Sequence, residues 1–397
     1  MIRSLIVVLV FLVGFSGLER SVAQTDPTKQ TTWPGEVWPV SSPEDEGFDP
    51  KAIAALVADM KAGEFGLLDH FLLIRHGRIV ADHQFEHDYE LISADYDKEN
   101  HQYNYDHPDW HPYYKGTNLH TLQSVTKSIN SIVLGIAIDQ GHIPAGVTTP
   151  AMSFFKNYKT DLSDPRRLEM TLEDLLTMRS GIQWNEQISY ESPLNSCIQL
   201  EASEQWIQFV LDQSMREKPG TVFDYNSGVS VLLGKVIGVA TGKRVDEFAK
   251  ETLFRPLGIK EFYWKTTPDG EVDTEGGLYL SSHDLAKIAY LFLRNGNWKG
   301  KQVVSRKWVV ASTSPAVADI RPNNGKPDQG YGYQWWVPKH ENGESRIYSG
   351  RGYGGQFPIV VPEHDLVIVF NAWNIHDPAK QSAERAVIER IIPAITR

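Results

Sequence analysis

The 397-residue sequence has one cysteine, Cys197, so no internal disulfide can form and the folded state must rest on packing alone. Positive charge is scarce as well. Lys and Arg number 39 against 50 Asp and Glu, a net charge of −11, which argues against a nucleic-acid or anionic-membrane binder. No internal repeat at a solenoid period is visible. The N-terminal apolar run, Leu5 to Phe15, is too short to cross a bilayer comfortably.

What that run does suggest is export. Arg3 precedes it and Ser21-Val22-Ala23 offers a small-x-small cleavage pattern before Gln24, so residues 1–23 read as a secretory signal. A periplasmic or secreted protein with no stable membrane anchor after cleavage is expected; an uncleaved N-terminal anchor is the alternative. Residues 24–397, 41% hydrophobic over the whole chain, are ample for a sizeable core.

The chemistry concentrates at Ser124-Val125-Thr126-Lys127, followed by apolar residues that run almost all round a helical wheel. Such a helix is normally core. Side chains at i and i+3 share one face, so the Ser124 hydroxyl and the Lys127 amine can meet. A serine needs a neighbour to take its proton, and a lysine can do so where desolvation favours its neutral form. The first turn adds free backbone N–H groups for a developing oxyanion. Alone, Ser-x-x-Lys more often marks a solvated helix face; the apolar run behind it points to catalysis.

Elsewhere, Asp49-Pro50 reads as a helix start, and His70–Arg75 with Arg78–Phe85 as a hairpin turning at His76-Gly77. Phe357–Val361 and Leu366–Phe370 form a second pair, with a last helix over about 380–392. Strands at both ends with helices between predict an α+β fold. Its antiparallel sheet comes from about 45–145 and 275–397, with a helical part over about 146–274 and the cleft between them. The loop from Tyr96 to Leu119 gathers His101, His107 and His111 beside His120, but without zinc-ligand spacing, and reads as surface packing or an aromatic rim. Cys197 has no histidine near it in sequence to activate it as a nucleophile.

Two further stretches complete the pattern. Tyr225-Asn226-Ser227 sits at a turn into a helix, where a phenol near a lysine can relay a proton. Tyr348-Ser349-Gly350-Arg351-Gly352-Tyr353-Gly354-Gly355-Gln356 opens a strand, which excludes a phosphate loop and suits substrate binding along a strand edge.

In that order the three motifs resemble those of the serine β-lactamase and penicillin-binding-protein superfamily, in particular its class C-like branch. That branch includes family VIII esterases, D-aminopeptidases and 6-aminohexanoate-dimer hydrolases. The resemblance covers most of the chain from about Pro50. It implies Ser124 as acylated nucleophile, Lys127 as general base and Tyr225 as proton relay. Ser227, Gly355 and Gln356 are implied around the substrate and the oxyanion, with no metal or organic cofactor. Two departures stand out: Ser227 replaces the frequent asparagine, and the Lys-Thr-Gly triad is absent. Ser349-Gly350 or Arg351-Gly352 occupies its place, leaving Arg351 as a candidate carboxylate ligand. The expected function is an exported serine hydrolase of small esters or amides. The alternatives are a D-amino-acid peptidase or β-lactamase acting on cell-wall substrates, or a non-catalytic binder of peptidoglycan fragments.

Overall fold

A computed structural model of the chain describes residues 31–88, 91, 94, 117–321, 329–338, 346–375, 383 and 385–396. The signal sequence expected over 1–23 and most of the histidine-rich loop over 96–119 lie outside the described residues.

The strands are β1 (Leu68–Arg75), β2 (Arg78–Gln84), β3 (His120–Thr121), β4 (Tyr263–Trp264), β5 (Leu278–Leu280), β6 (Asn297–Trp298), β7 (Lys301–Gln302), β8 (Gln329–Tyr331), β9 (Trp336–Pro338), β10 (Tyr348–Ser349), β11 (Phe357–Val361) and β12 (Leu366–Ala372). Seven of them form one antiparallel sheet in the order β2-β1-β12-β11-β10-β9-β8, which joins the two ends of the chain as the sequence suggests. The β1–β2 turn works because His76 (φ 51°) and Gly77 (φ 77°) both take the left-handed conformation that a tight hairpin requires.

Strands β1, β11 and β12 are buried along their whole length, so alternate side chains must feed two cores. Phe71, Leu73, Ile359, Ile368 and Phe370 face one core with Ile53, Leu56 and Met60 of α1 (Pro50–Lys61). Leu72, Ile74, Val360, Val367 and Val369 face the other, which holds the helices of the middle of the chain. The fold is therefore α+β, an antiparallel sheet flanked by helices. α1 starts as expected: Asp49 accepts a hydrogen bond from the Lys51 N–H and Pro50 holds the first position. The expected last helix is described only over 385–392, where Val387–Ile391 forms a π-helical turn packed under the sheet.

The centre of the larger core is α2 (Val125–Asp139), buried at every residue from Val125 to Ala137. Its buried hydroxyls and the Asn130 amide N–H donate to neighbours, while Asn130 Oδ1 has no partner among the described residues. Ser128 and Ser131 donate to the carbonyls of Gln334 (2.6 Å) and Tyr333 (2.8 Å), and Asn130 donates to Ser230 O (3.1 Å) on the facing helix. Close packing also explains Gly135, since a Cβ there would lie 2.5 Å from the Trp308 ring. Gly135→Ala is expected to cost about 1–3 kcal/mol by overpacking, read as a lowered Tm; an unchanged Tm would contradict this packing.

Candidate active site

Ser124 stands at the N-terminus of α2, where the backbone turns sharply. Gln123 before it takes φ 48°, a left-handed conformation uncommon for a residue with a side chain, and Ser124 itself is already helical at φ −62°. Leu122 N–H donates to Leu278 O (2.9 Å) and Leu278 N–H to Thr126 Oγ1 (3.1 Å), which fasten this turn to β5. From His120 to Ala137 every residue is buried except Ser124. Its side chain makes no capping bond, so the hydroxyl is left to the cleft and to Lys127.

Lys127 is 1% exposed. Its Nζ donates to Ser124 Oγ (2.8 Å), to the Glu275 carbonyl (2.7 Å) and to Glu275 Oε2 (2.9 Å). Burial alone would lower the lysine pKa, but the Glu275 carboxylate, helped by Tyr225 and Glu186, reverses the shift and holds it well above the ordinary value. This corrects the expectation that desolvation leaves Lys127 neutral: in the resting protein it is an ammonium, and no general base until it loses a proton.

Tyr225 is in hydrogen-bond contact with Ser124, and its ring centroid lies 5.5 Å from Lys127 Nζ. Its neighbours hold it there. Asp224 N–H donates to Met178 O (2.8 Å), and Asn226 caps α3 (Ser227–Thr241) by accepting from Val229 N–H (3.1 Å). Burial raises the phenol pKa despite the attraction of Lys127, so Tyr225 rests protonated. Ser124, Lys127 and Tyr225 therefore meet at one point, as their spacing and order suggest.

Beside Tyr225 opens a cavity of about 400 Å³, walled by Phe223, Tyr225 and Trp336 and carrying Arg321, Arg351, Asp224 and Glu186. Arg351 lies over the Trp336 ring, 4.8 Å from its centroid, and Trp336 stacks on Tyr225. The guanidinium thus reaches the cleft near the place of the missing lysine.

Three expected substrate residues are engaged elsewhere. Ser227 is buried, and its hydroxyl and N–H both donate to Glu186 (2.7 and 2.8 Å). The N–H groups of Gly355 and Gln356 both point to Gly352 O (3.2 Å each), and the Gln356 amide bonds the Ala372 carbonyl at 2.6 Å. These two residues close the turn, so the second oxyanion donor expected there is not available from either. The glycine-rich stretch does permit close approach: a Cβ on Gly352 would lie 2.3 Å from Leu122 O, two residues before the nucleophile.

Sequence reasoning missed the acids. Glu275, 148 residues from Lys127, is placed by Asp273, whose carboxylate accepts from the N–H groups of Glu275 and Gly276 (3.1 and 3.0 Å). Its only signal is the Gly276-Gly277 pair that follows. Glu186, pushed up by burial, also accepts from Trp184 Nε1 (2.6 Å) and Tyr190 Oη (2.8 Å). Cys197 is buried, and burial followed by the charge of Glu275 raises its pKa well above the ordinary thiol value, so it is no thiolate nucleophile. Away from the cleft, His70 and His283 each place Nε2 on one oxygen of Asp82 (2.7 and 2.8 Å), tying β2 to α4 (Ser282–Leu293).

A helix buried against an antiparallel sheet, with Ser-x-x-Lys at its foot and a tyrosine opposite, defines a serine–lysine site of the β-lactamase type. The chain belongs to the Beta-lactamase family, whose profile matches residues 66–390. It is 28% identical over 273 residues to the 6-aminohexanoate-dimer hydrolase of Paenarthrobacter ureafaciens, a match covering 64% of this chain and 66% of that protein, just under two thirds of the relative's length. In fold it resembles a Bacillus anthracis protein provisionally described as a 6-aminohexanoate-dimer hydrolase (TM-score 0.67, 19% identity, 94% of this chain and 89% of that one). It also resembles EstCE1, a hydrolase with promiscuous acyltransferase activity (TM-score 0.63, 13% identity, 87% and 98%).

Proposed function

We propose that the protein is an exported serine hydrolase that cleaves small esters or amides through an acyl-enzyme on Ser124. The observation that carries this reading is the Ser124 hydroxyl, open to the cleft yet held at 2.8 Å by a buried lysine and touched by a phenol. The Ser124 oxygen attacks the substrate carbonyl carbon as its proton passes into the Lys127 network. The Ser124 N–H, which makes no hydrogen bond among the described residues, stabilises the oxyanion. Collapse expels the alcohol or amine with a proton from Tyr225 or Lys127, and water then releases the acid. Family membership and the curated relative support amide substrates, while the aromatic wall of the cavity, Phe223, Tyr225 and Trp336, supports small acyl or leaving groups. Export rests on the N-terminal pattern alone.

A substrate panel tests it. p-Nitrophenyl acetate and butyrate and short ω-amino-acid amides are expected to turn over. Nitrocefin is expected to give kcat/KM lower by about 100-fold, the scale of a lost charge-assisted contact, because Arg351, held over the Trp336 ring, stands in place of the lysine that would grip a β-lactam carboxylate. Nitrocefin as the best substrate would instead favour the β-lactamase reading, and no turnover of any compound would favour a binding protein.

A further inference from the structure

The short helix Ser196–Glu201 carries an acid that the acylation scheme leaves unused. Glu201 is 1% exposed and hydrogen-bonded to Glu275, with Cys197 close by. Two carboxylates in contact inside a dry core cannot both ionise, so the pair holds one proton. The geometry says which oxygen keeps it. Glu275 faces the Lys127 ammonium at 2.9 Å, whereas among the described residues no group donates a hydrogen bond to Glu201 Oε2, so a charge there would be buried without a donor. Glu201 is therefore the neutral acid and Glu275 the carboxylate. The directions agree: burial and the charge of Glu275 raise Glu201 well above the ordinary value, and Lys127, with the hydrogen bond from Glu201, draws Glu275 below its own despite burial. The other charged or titratable groups facing the pair are Lys265, Asp273 and Cys197, with Tyr225 and Glu186 across Lys127.

We propose that Glu275 is a positioning residue for the acylation of Ser124: held by the Glu201 acid, its carboxylate aims the Lys127 amine at Ser124 and takes a proton from it as Ser124 attacks. The step balances. The Ser124 Oγ–H proton moves to Lys127 Nζ while one Lys127 N–H proton moves to Glu275 Oε2, so the lysine remains an ammonium. The freed Oγ electron pair forms the bond to the carbonyl carbon, whose π pair moves to the oxygen. When the leaving group departs it takes a proton from Lys127 or Tyr225, and the Glu275 proton refills the vacancy. This rests on Ser124 being the nucleophile, which the same experiment checks separately.

The test is the rate of Ser124 labelling by a fluorophosphonate from pH 3 to 10. In the wild type the acid limb should fall in the carboxylate range, because ionised Glu275 is the acceptor and its pKa is drawn down. Glu275→Gln removes the acceptor, so labelling must wait for neutral Lys127. The limb should move up by at least about two pH units, with labelling at pH 6 falling by about 100-fold. Glu201→Gln, which keeps a neutral hydrogen-bond donor, should leave the limb within about half a unit, as expected for replacing a group that is already uncharged. A wild-type limb in Glu275→Gln, or an equal shift in Glu201→Gln, overturns the proposal. Should Glu275→Gln fail to fold by circular dichroism, Glu275→Asp decides: its shortened carboxylate stays charged but withdraws from Nζ. It should label about ten-fold more slowly at an unchanged limb, and an undiminished rate overturns the proposal. No labelling of the wild type at any pH would instead refute the nucleophile itself.

Discussion

Ser124→Ala is expected to lower ester hydrolysis by about 10⁴-fold or more, the scale seen when a nucleophile is removed from a serine hydrolase, while leaving the fold intact. The two halves of that expectation have separate causes. The hydroxyl supplies the attacking oxygen, and neither Lys127 nor Tyr225 can replace it, since one rests as an ammonium and the other as a phenol. Stability is another matter: the Ser124 side chain does not cap α2, and Lys127 keeps both contacts to Glu275 when the hydroxyl is gone. Tm should move by no more than an ordinary surface substitution would move it. Measuring kcat/KM and Tm on one preparation separates these outcomes, and substantial residual turnover would remove Ser124 from the chemistry.

Lys127→Met should damage both properties at once. Methionine roughly fills the space but leaves Glu275 without its cation. Breaking a buried ion pair costs about 3–5 kcal/mol, and loss of the proton-handling amine should lower kcat by about 10²–10⁴-fold. The stability loss carries a pH sign. In the wild type Glu275 is drawn below its ordinary value, so the pair stabilises above the ordinary carboxylate pKa and that stability fades as pH falls through the depressed folded value. In the variant the largest opposing influence is gone, and burial, set only against the Glu201 hydrogen bond and the charge of Lys265, moves the Glu275 pKa up, so folding binds a proton and is favoured in acid. The gap in Tm between wild type and Lys127→Met should therefore be wider at pH 8 than at pH 5. A pH-independent gap would show that the lysine contributes packing rather than charge.

Much of this was legible in the sequence where the signal is local. Asp49-Pro50, His76-Gly77 and the fully apolar runs of β11 and β12 declare a cap, a turn and central strands through their own backbone and burial preferences. Ser124 and Lys127 are one helical turn apart, so their meeting follows from helix geometry. Tyr225 and the glycine-rich stretch were placed by motif order, and the fold brings the tyrosine to the serine. The electrostatics were not legible. Glu275 reaches Lys127 only because Asp273 and β5 hold its loop against α2, and no spacing rule connects residues 148 apart. Without Glu275, desolvation is the only visible influence on the lysine, and it points the wrong way. Ser227 was misplaced for a similar reason: Glu186, distant in sequence, takes both its hydroxyl and its N–H. Gly355 and Gln356 look like free strand-edge donors until the turn back to Gly352 is seen.

The most direct measurement is acid-quenched mass spectrometry of the protein during turnover of p-nitrophenyl butyrate, followed by peptide mapping. A covalent mechanism gives a butyryl adduct confined to the peptide containing Ser124, absent from Ser124→Ala and longer-lived when deacylation is slowed by cooling. Steady hydrolysis with no adduct at any quench time, or an adduct on another residue, would contradict an acyl-enzyme on Ser124.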